Sequence, residues 1–244
     1  MLVEQIRQRY LETLERMEKA AQRTGRDPRQ VQLIVVTKAQ PLEVVQAAIQ
    51  AGAQALGENY PEEGVMKIQS LPEAKRVQWH MIGHLQRRKA ELVIQHFDFF
   101  HALDSLRLAQ RLSRLAQEAG RILPTLLEFN VSGEASKFGW PAWEEAAWPN
   151  LWPEIEAVLT LPGLAIQGVM AMPPLFENPE EVRPYFRRLR RLFETLSQRF
   201  PQAEWRHLSM GTSADYEIAI EEGATMVRVG QAILGPRPPK QESK

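Results

Sequence analysis

The chain of 244 residues contains no cysteine. Disulfides, thiolate metal sites and thiol nucleophiles are therefore excluded, and nothing points to an oxidising compartment. Charge of neither sign prevails, because 30 Lys and Arg face 30 Asp and Glu. Without a net positive field the chain has no general attraction for nucleic acid or an anionic membrane, and neither is expected as a partner. No run approaches the ~18 consecutive apolar residues of a membrane span. The opening stretch, MLVEQIRQRYLETLERMEKAAQRTGRDP, has no apolar signal core and carries several glutamates. That argues against secretory and transit peptides, and the expected location is the cytoplasm. The five histidines, His80, His84, His96, His101 and His207, do not form a metal spacing on one helix. No zinc site is expected, and His80 reads as a hydrogen-bonded barrel residue. No linker, low-complexity tract or shift of composition marks a second domain.

What is present is alternation. A first amphipathic helix is read from Ile6, Tyr10, Leu14 and Met17 before Gly25 and Pro28. Eight strand-like segments follow: VQLIVVTK, ALGENY, VQWHMIG, FDFFHALD, LPTLLEFNV, LAIQGVMAM, WRHLSMG and TMVRVGQAIL. Helical stretches beginning near Leu42, Glu62, Leu85, Ser105, Trp143, Pro179 and Ser213 separate them. Strict β/α alternation implies a parallel sheet, and eight units of similar length predict a closed (β/α)8 TIM barrel with an extra N-terminal helix. A doubly wound open sheet is the alternative. The barrel is expected over residues 1–235, with 236–244 as a flexible tail.

In VQLIVVTKAQP, an apolar, β-branched strand ends in Lys38. Lys38 has two readings, a strand end reaching water or an amine at the barrel mouth placed for covalent chemistry. Alternation puts it on the face of Ile34 and Val36. A small, hydroxyl-rich turn, Ser209, Met210, Gly211, Thr212 and Ser213, follows the seventh strand, with Thr212 or Ser213 as the expected N-cap of the next helix. Gly230 follows the eighth strand. Loops after strands 7 and 8 of such barrels frequently bind phosphate, and free N–H groups at a helix start favour anions. The turn is otherwise only a capped turn. Arg228, on the face of Gly230 and Met226, is either a structural ion-pair partner or a guanidinium aimed at a ligand.

Lys38, GENY at 57–60, WHMIGHLQRRK at 79–89, GVMAM at 168–172, LSMGTS at 208–213 and MVRVGQAILG at 226–235 together resemble the pyridoxal phosphate homeostasis protein family of the YggS/PROSC type. That family has a fold-type III barrel for pyridoxal 5′-phosphate (PLP), related to the N-terminal domain of alanine racemase. The resemblance implies that Lys38 forms a Schiff base with PLP. It implies that the turn Ser209–Ser213 and Gly230 surround the phosphate, that Asn59 lies beside the ring, and that Arg228 faces the pyridine nitrogen. A guanidinium donates hydrogen bonds and stays charged, so that nitrogen would remain an acceptor and the ring a weak electron sink.

The expected function is intracellular PLP homeostasis, with PLP held by the chain and supplied to apo PLP-dependent enzymes. A monomer is expected. The alternative is a PLP-dependent amino-acid racemase, which needs a second base facing Lys38. The chain ends soon after the last strand and leaves no room for the second domain that carries such a tyrosine in alanine racemase. Of its four tyrosines, only Tyr60 lies near a strand end. A Schiff-base aldolase would use Lys38 without PLP. Two weaker signals complete the reading. Lys137 in SGEASKFGW is a surface lysine or a second aldehyde contact, and FRRLRRLFETLSQRF is a solvated amphipathic helix.

Overall fold

The computed structural model describes residues 1–237; residues 238–244, most of the expected tail, lie outside the described residues. The sheet is wholly parallel and closed. Its strands are β1 (Gln32–Val36), β2 (Ala55–Glu58), β3 (Gln78–Met81), β4 (Phe99–Leu103), β5 (Leu123–Asn130), β6 (Trp140–Pro141), β7 (Leu164–Met170), β8 (His207–Ser209) and β9 (Met226–Val229). Eight of these form the barrel in the order β1-β2-β3-β4-β5-β7-β8-β9, and β9 closes on β1 through Leu33 opposite Val227 and Ile34 opposite Arg228. The two-residue β6 was not expected. It pairs only with the end of β5, at Phe129 and Asn130.

The surrounding helices are α1 (Leu2–Arg23), α2 (Leu42–Ala51), α3 (Pro61–Ser70), α4 (Ala90–His96), α5 (Leu106–Glu118), α6 (Trp152–Leu159), α7 (Arg183–Arg199), α8 (Tyr216–Glu221) and α9 (Gln231–Leu234). None is long and apolar enough to cross a membrane. The buried stripe of α1 runs through Ile6, Tyr10, Thr13, Met17 and Ala20. Leu14, expected in that stripe, is exposed. Thr13 takes the inward position, and its hydroxyl donates to the Arg9 carbonyl at 2.8 Å. Helix starts were the least accurate expectation. The segment expected to be helical from Trp143 is a 3-10 stretch over Glu145–Leu151 containing Pro149, and α6 begins only at Trp152. Proline supplies no N–H to an α-helical ladder, so the regular helix waits until that residue is passed. Likewise Leu85–Lys89 is loop and a 3-10 turn before α4. The helix α8 is capped at Asp215, not at Thr212 or Ser213.

Close approach at the top of the barrel requires glycine. A Cβ on Gly83, just beyond β3, would lie 2.4 Å from the Asn59 carbonyl oxygen. The backbone carrying Asn59 can therefore rest directly on the β3–α4 loop.

Helix α3 fixes the turn after β1. Lys67 is fully buried, and its ammonium donates to the Thr37 carbonyl at 2.7 Å, to Glu58 at 2.8 Å and to Glu63 at 2.6 Å. The Thr37 hydroxyl donates to the same Glu58 oxygen at 2.6 Å, and the Ala39 N–H donates to Glu63 at 2.6 Å. The Gln40 N–H closes the turn on the Thr37 carbonyl at 3.1 Å. Ala39 holds φ +57°, the only positive φ at a non-glycine residue among the described residues. An alanine in that region carries a cost of about 1–2 kcal/mol that the surrounding bonds must offset. Lys38 lies between two backbone groups, at Thr37 and Ala39, that are both tied to this cluster.

Replacing Lys67 by Met keeps its bulk but leaves Glu58 buried without its cation. We expect a loss of about 3–5 kcal/mol, the usual cost of orphaning one partner of a buried pair. Chemical denaturation checks the loss. The double variant Lys67→Met, Glu58→Gln should recover part of it.

Candidate functional site

A cavity of about 780 Å3 opens at the C-terminal ends of the barrel strands. Its size falls within the ~300–1,000 Å3 typical of small-molecule sites. Lys38, Asn59, Gly211, Thr212, Ser213, Arg228 and Gly230, seven of the nine residues singled out in the sequence, line it. Ser209 and Met210 do not. Both are fully buried, and the Ser209 hydroxyl is engaged inside the barrel by Arg228 and His101. Ser209 shares the inward face with Gly211 but sits one layer deeper, about 6–7 Å along the strand.

Lys38 is partly buried. Burial, reinforced by the charges of Arg237 and Arg228 and opposed by Glu58 and Glu63, lowers the pKa of its amine from the ordinary lysine value. Lys67 takes the direct bonds to Glu58 and Glu63, so Lys38 has no carboxylate partner among the described residues. A lysine in that setting has a larger free-amine fraction at neutral pH, the form that attacks carbonyl carbon.

On the opposite wall, Gly211 adopts φ +93°, and a Cβ there would lie 2.6 Å from that of Ala219. Only glycine lets the turn lie this close to α8. Asp215 folds back to accept the Thr212 N–H at 2.6 Å and its hydroxyl at 3.1 Å. The Thr212 N–H is thus already used, whereas the Ser213 and Ala214 N–H groups have no acceptor among the described residues. The Ser213 hydroxyl accepts the Gly230 N–H at 3.1 Å and ties the two glycine turns together. This is a compact anion cradle of backbone donors with a hydroxyl beside it.

Arg228 is buried without a direct ion pair. It donates to Ser209, to the Ala171 carbonyl at 3.0 Å and to the Met172 sulfur at 2.8 Å. The expected alternative of a structural ion pair is not what holds it. Burial pushes its pKa down to about 10, which still leaves it charged at neutral pH; Asp215 and Glu128 act against the fall. Below it, the Ser209 hydroxyl meets His101 Nδ1 at 3.0 Å, and His101 Nε2 meets His80 Nδ1 at 2.9 Å. Burial pushes His80 down to about 3 and His101 well below its usual value. Both rings are neutral at physiological pH; His101 uses both nitrogens in this chain, whereas His80 Nε2 is buried without a hydrogen-bond partner among the described residues. His80 is indeed a hydrogen-bonded barrel residue.

Sequence reasoning missed three features. Glu58, Glu63 and Lys67 were not recognised as a cluster, although Glu63 and Lys67 stand at helical i,i+4 spacing. Asp215 was not recognised as the cap. Glu128, the one acid inside the apolar strand LPTLLEFNV, was not weighed, yet it lines the cavity. Tyr60 and Lys137 also line it, and Tyr60 is largely exposed.

Pyridoxal phosphate needs an amine for its aldehyde, an anion cradle and a flat slot between them. Lys38, the Gly211–Ala214 turn and the cavity that both line meet those requirements. Comparison with known proteins agrees. The family model described as alanine racemase, N-terminal domain, matches residues 11–238. A protein of Vibrio alginolyticus named pyridoxal phosphate homeostasis protein is 40% identical over 219 residues, covering 88% of this chain and 91% of its own length. One of the same name from Aquifex aeolicus is 38% identical over 230 residues, covering 94% and 97%. The structure of PipY of Synechococcus elongatus with PLP bound is 34% identical, with a TM-score of 0.74, and covers 91% of this chain and 99% of that one. With this fold, this cavity and these relatives, the chain belongs to the alanine racemase N-terminal domain family and, within it, to the pyridoxal phosphate homeostasis proteins.

Proposed function

We propose that the chain binds PLP in this cavity, holds it as a Schiff base on Lys38 and supplies it to apo PLP-dependent enzymes in the cytoplasm. The observation that carries the reading is a partly buried lysine without a carboxylate partner, in one cavity with a glycine-built cradle of free backbone donors. When bound, PLP supplies a reactive aldehyde and a pyridine ring able to accept electrons. Lys38 provides the amine, and the Lys67 cluster holds the turn on which it sits. Gly211, Thr212, Ser213 and Gly230 line the part of the wall that suits the phosphate. Asn59 lies against Gly83 at the rim and suits the side of the ring.

Arg228 has the role that separates carrier from enzyme. A buried, charged guanidinium facing a pyridine nitrogen can only donate, so the nitrogen stays unprotonated. The ring is then a poor sink for a carbanion, and racemisation is disfavoured. Exchange of one amine for another needs no carbanion and remains open. Acting as a monomeric barrel is sufficient for this role, since every group named belongs to one chain.

Two outcomes are expected. Borohydride treatment of the PLP-loaded chain should fix a pyridoxyl group on Lys38, identified by peptide mapping. The lowered amine pKa should keep loading efficient near neutral pH, with a decline only as the free amine is protonated at lower pH. Label on another residue, or none, overturns the reading. The loaded chain mixed with an apo PLP enzyme should restore that enzyme's activity with matching loss of its own visible band. It should racemise no common L-amino acid above the background of free PLP. Turnover of one amino acid that disappears in Lys38→Ala would establish the racemase instead.

A further inference from the structure

The Glu128 side chain is a buried acid in the cavity wall for which the PLP reading gives no use. It stands near the C-terminal end of β5, where its pair partner across the ladder is Met170. The residue is only 6% exposed, and its Oε2 atom is buried without a hydrogen-bond partner among the described residues. A buried carboxyl oxygen left unbonded is costly, because it loses water and gains nothing in return. The charged groups facing Glu128 come from three elements. Arg228 lies across the barrel on β9, Lys137 lies in the loop after β5, and Asp104 lies just past β4. None of them bonds to it. Arg228 is spent on Ser209, Ala171 and Met172, and Asp104 accepts from the Ser105 hydroxyl at 3.0 Å and lies 2.9 Å from His84 Nδ1.

The chemistry of PLP does not supply the missing partner. Its phosphate is an anion and would be repelled. Its phenolic oxygen is an acceptor, and its ring nitrogen is an acceptor when it faces Arg228. What fits an unbonded carboxylate oxygen in a cavity is a donor with positive charge. A guanidinium would be wide for this wall, whereas an ammonium on a small carbon skeleton is compact. The cavity reaches from Lys38 past Glu128 to Lys137 and His84 at the rim. A small amino acid placed with its ammonium on Glu128 would have cationic or polar groups at hand for its carboxylate.

We propose that Glu128 forms an amine-binding subsite for a primary ammonium ligand of the α-amino-acid class, and that its carboxylate accepts a proton from that ammonium. The inference rests on the PLP reading for its purpose, since a neutral amine is the form that can displace Lys38. The proton leaves nitrogen for the Glu128 carboxylate, the nitrogen keeps the lone pair, and no other bond changes. Burial and the neighbouring Asp104 push the Glu128 carboxyl up to about 7, against the pull of Arg228 and Lys137. An acid poised there can both bind an ammonium and carry its proton near neutral pH.

The test uses the full-length chain without PLP, with glutamate carboxyl carbons labelled with 13C and the Glu128 signal identified by its absence in Glu128→Gln. The probe is L-alanine, and the control is trimethylglycine, which has a cationic nitrogen and a carboxylate but no N–H. The Glu128 midpoint should fall by about one pH unit at saturating L-alanine, corresponding to a tenfold preference for the carboxylate form, and stay in place with trimethylglycine. On the PLP-loaded chain, L-alanine should discharge the visible band, and Glu128→Gln should slow that discharge about tenfold and remove its inflection near pH 7. A midpoint unmoved by L-alanine overturns the inference. So does a midpoint that rises on PLP loading alone, which would make Glu128 a donor to the cofactor. Borohydride labelling of the wild-type chain is read separately. Its failure sinks the PLP reading, while the 13C titration still decides the subsite.

Discussion

Everything at the mouth of this barrel depends on how one buried ammonium, that of Lys67, distributes its three hydrogen bonds. Two go to carboxylates and one to the backbone of the residue before Lys38. Burying such a cluster brings little net stability, because desolvation of the ions cancels much of their attraction. Its effect is on position and on charge. It pins both backbone neighbours of Lys38, and it holds Ala39 in a left-handed conformation that the residue would not adopt unaided. It also engages both nearby acids. Of two lysines close in space, one is hydrogen-bonded to two carboxylates. The other is left with burial and two arginines, which favour the free amine.

The same logic of uncompensated charge runs through the barrel interior. Arg228 is fully desolvated and is held by a hydroxyl, a carbonyl and a sulfur, not by an acid. Beneath it, two imidazoles kept neutral by burial extend the chain of hydrogen bonds without adding charge. An acid in place of Ser209 would neutralise Arg228 and remove the positive field from the floor of the cavity. A serine there orients the guanidinium and leaves its charge facing the ligand. Asp215 and Glu128 temper its field from the sides.

The period of hydrophobicity made the barrel legible. Two-sided apolar strands such as QLIVV can only be buried on both faces, and their regular alternation with amphipathic segments implies closure. The N-terminal stripe was nearly legible. Leu14 and Thr13 are neighbours in sequence, but the true 3.6-residue period selects Thr13, and hydrophobicity alone selected the wrong one. At the turn after β8, composition marked the small, hydroxyl-rich run but not its depth, and Ser209, read as part of that turn, lies inside the barrel. The Lys67 cluster was half legible. The Glu63 and Lys67 spacing is visible within one helix, but its burial depends on Glu58 and Thr37, which come from two other elements. Pairwise sequence distance carries no trace of that meeting. Glu128 had a visible signal, a lone acid in an apolar strand, whose weight becomes apparent only when its oxygen proves to be unbonded.

The placement of protons links these parts. Lys38 is pushed toward losing its proton and Glu128 toward keeping one, each by burial acting on opposite charge types. Both therefore shift toward neutrality, one from above and the other from below. A site with an amine ready to bond and an acid ready to exchange protons can pass an aldehyde from one nitrogen to another. Breaking a C–H bond demands something further, a ring that draws electrons strongly, and on the proposed reading a guanidinium donating to the pyridine nitrogen withholds it. Had the residue at 228 been a carboxylate, the same barrel, lysine and cradle would favour the enzyme. With a guanidinium there, storage and exchange is the role proposed for these residues together.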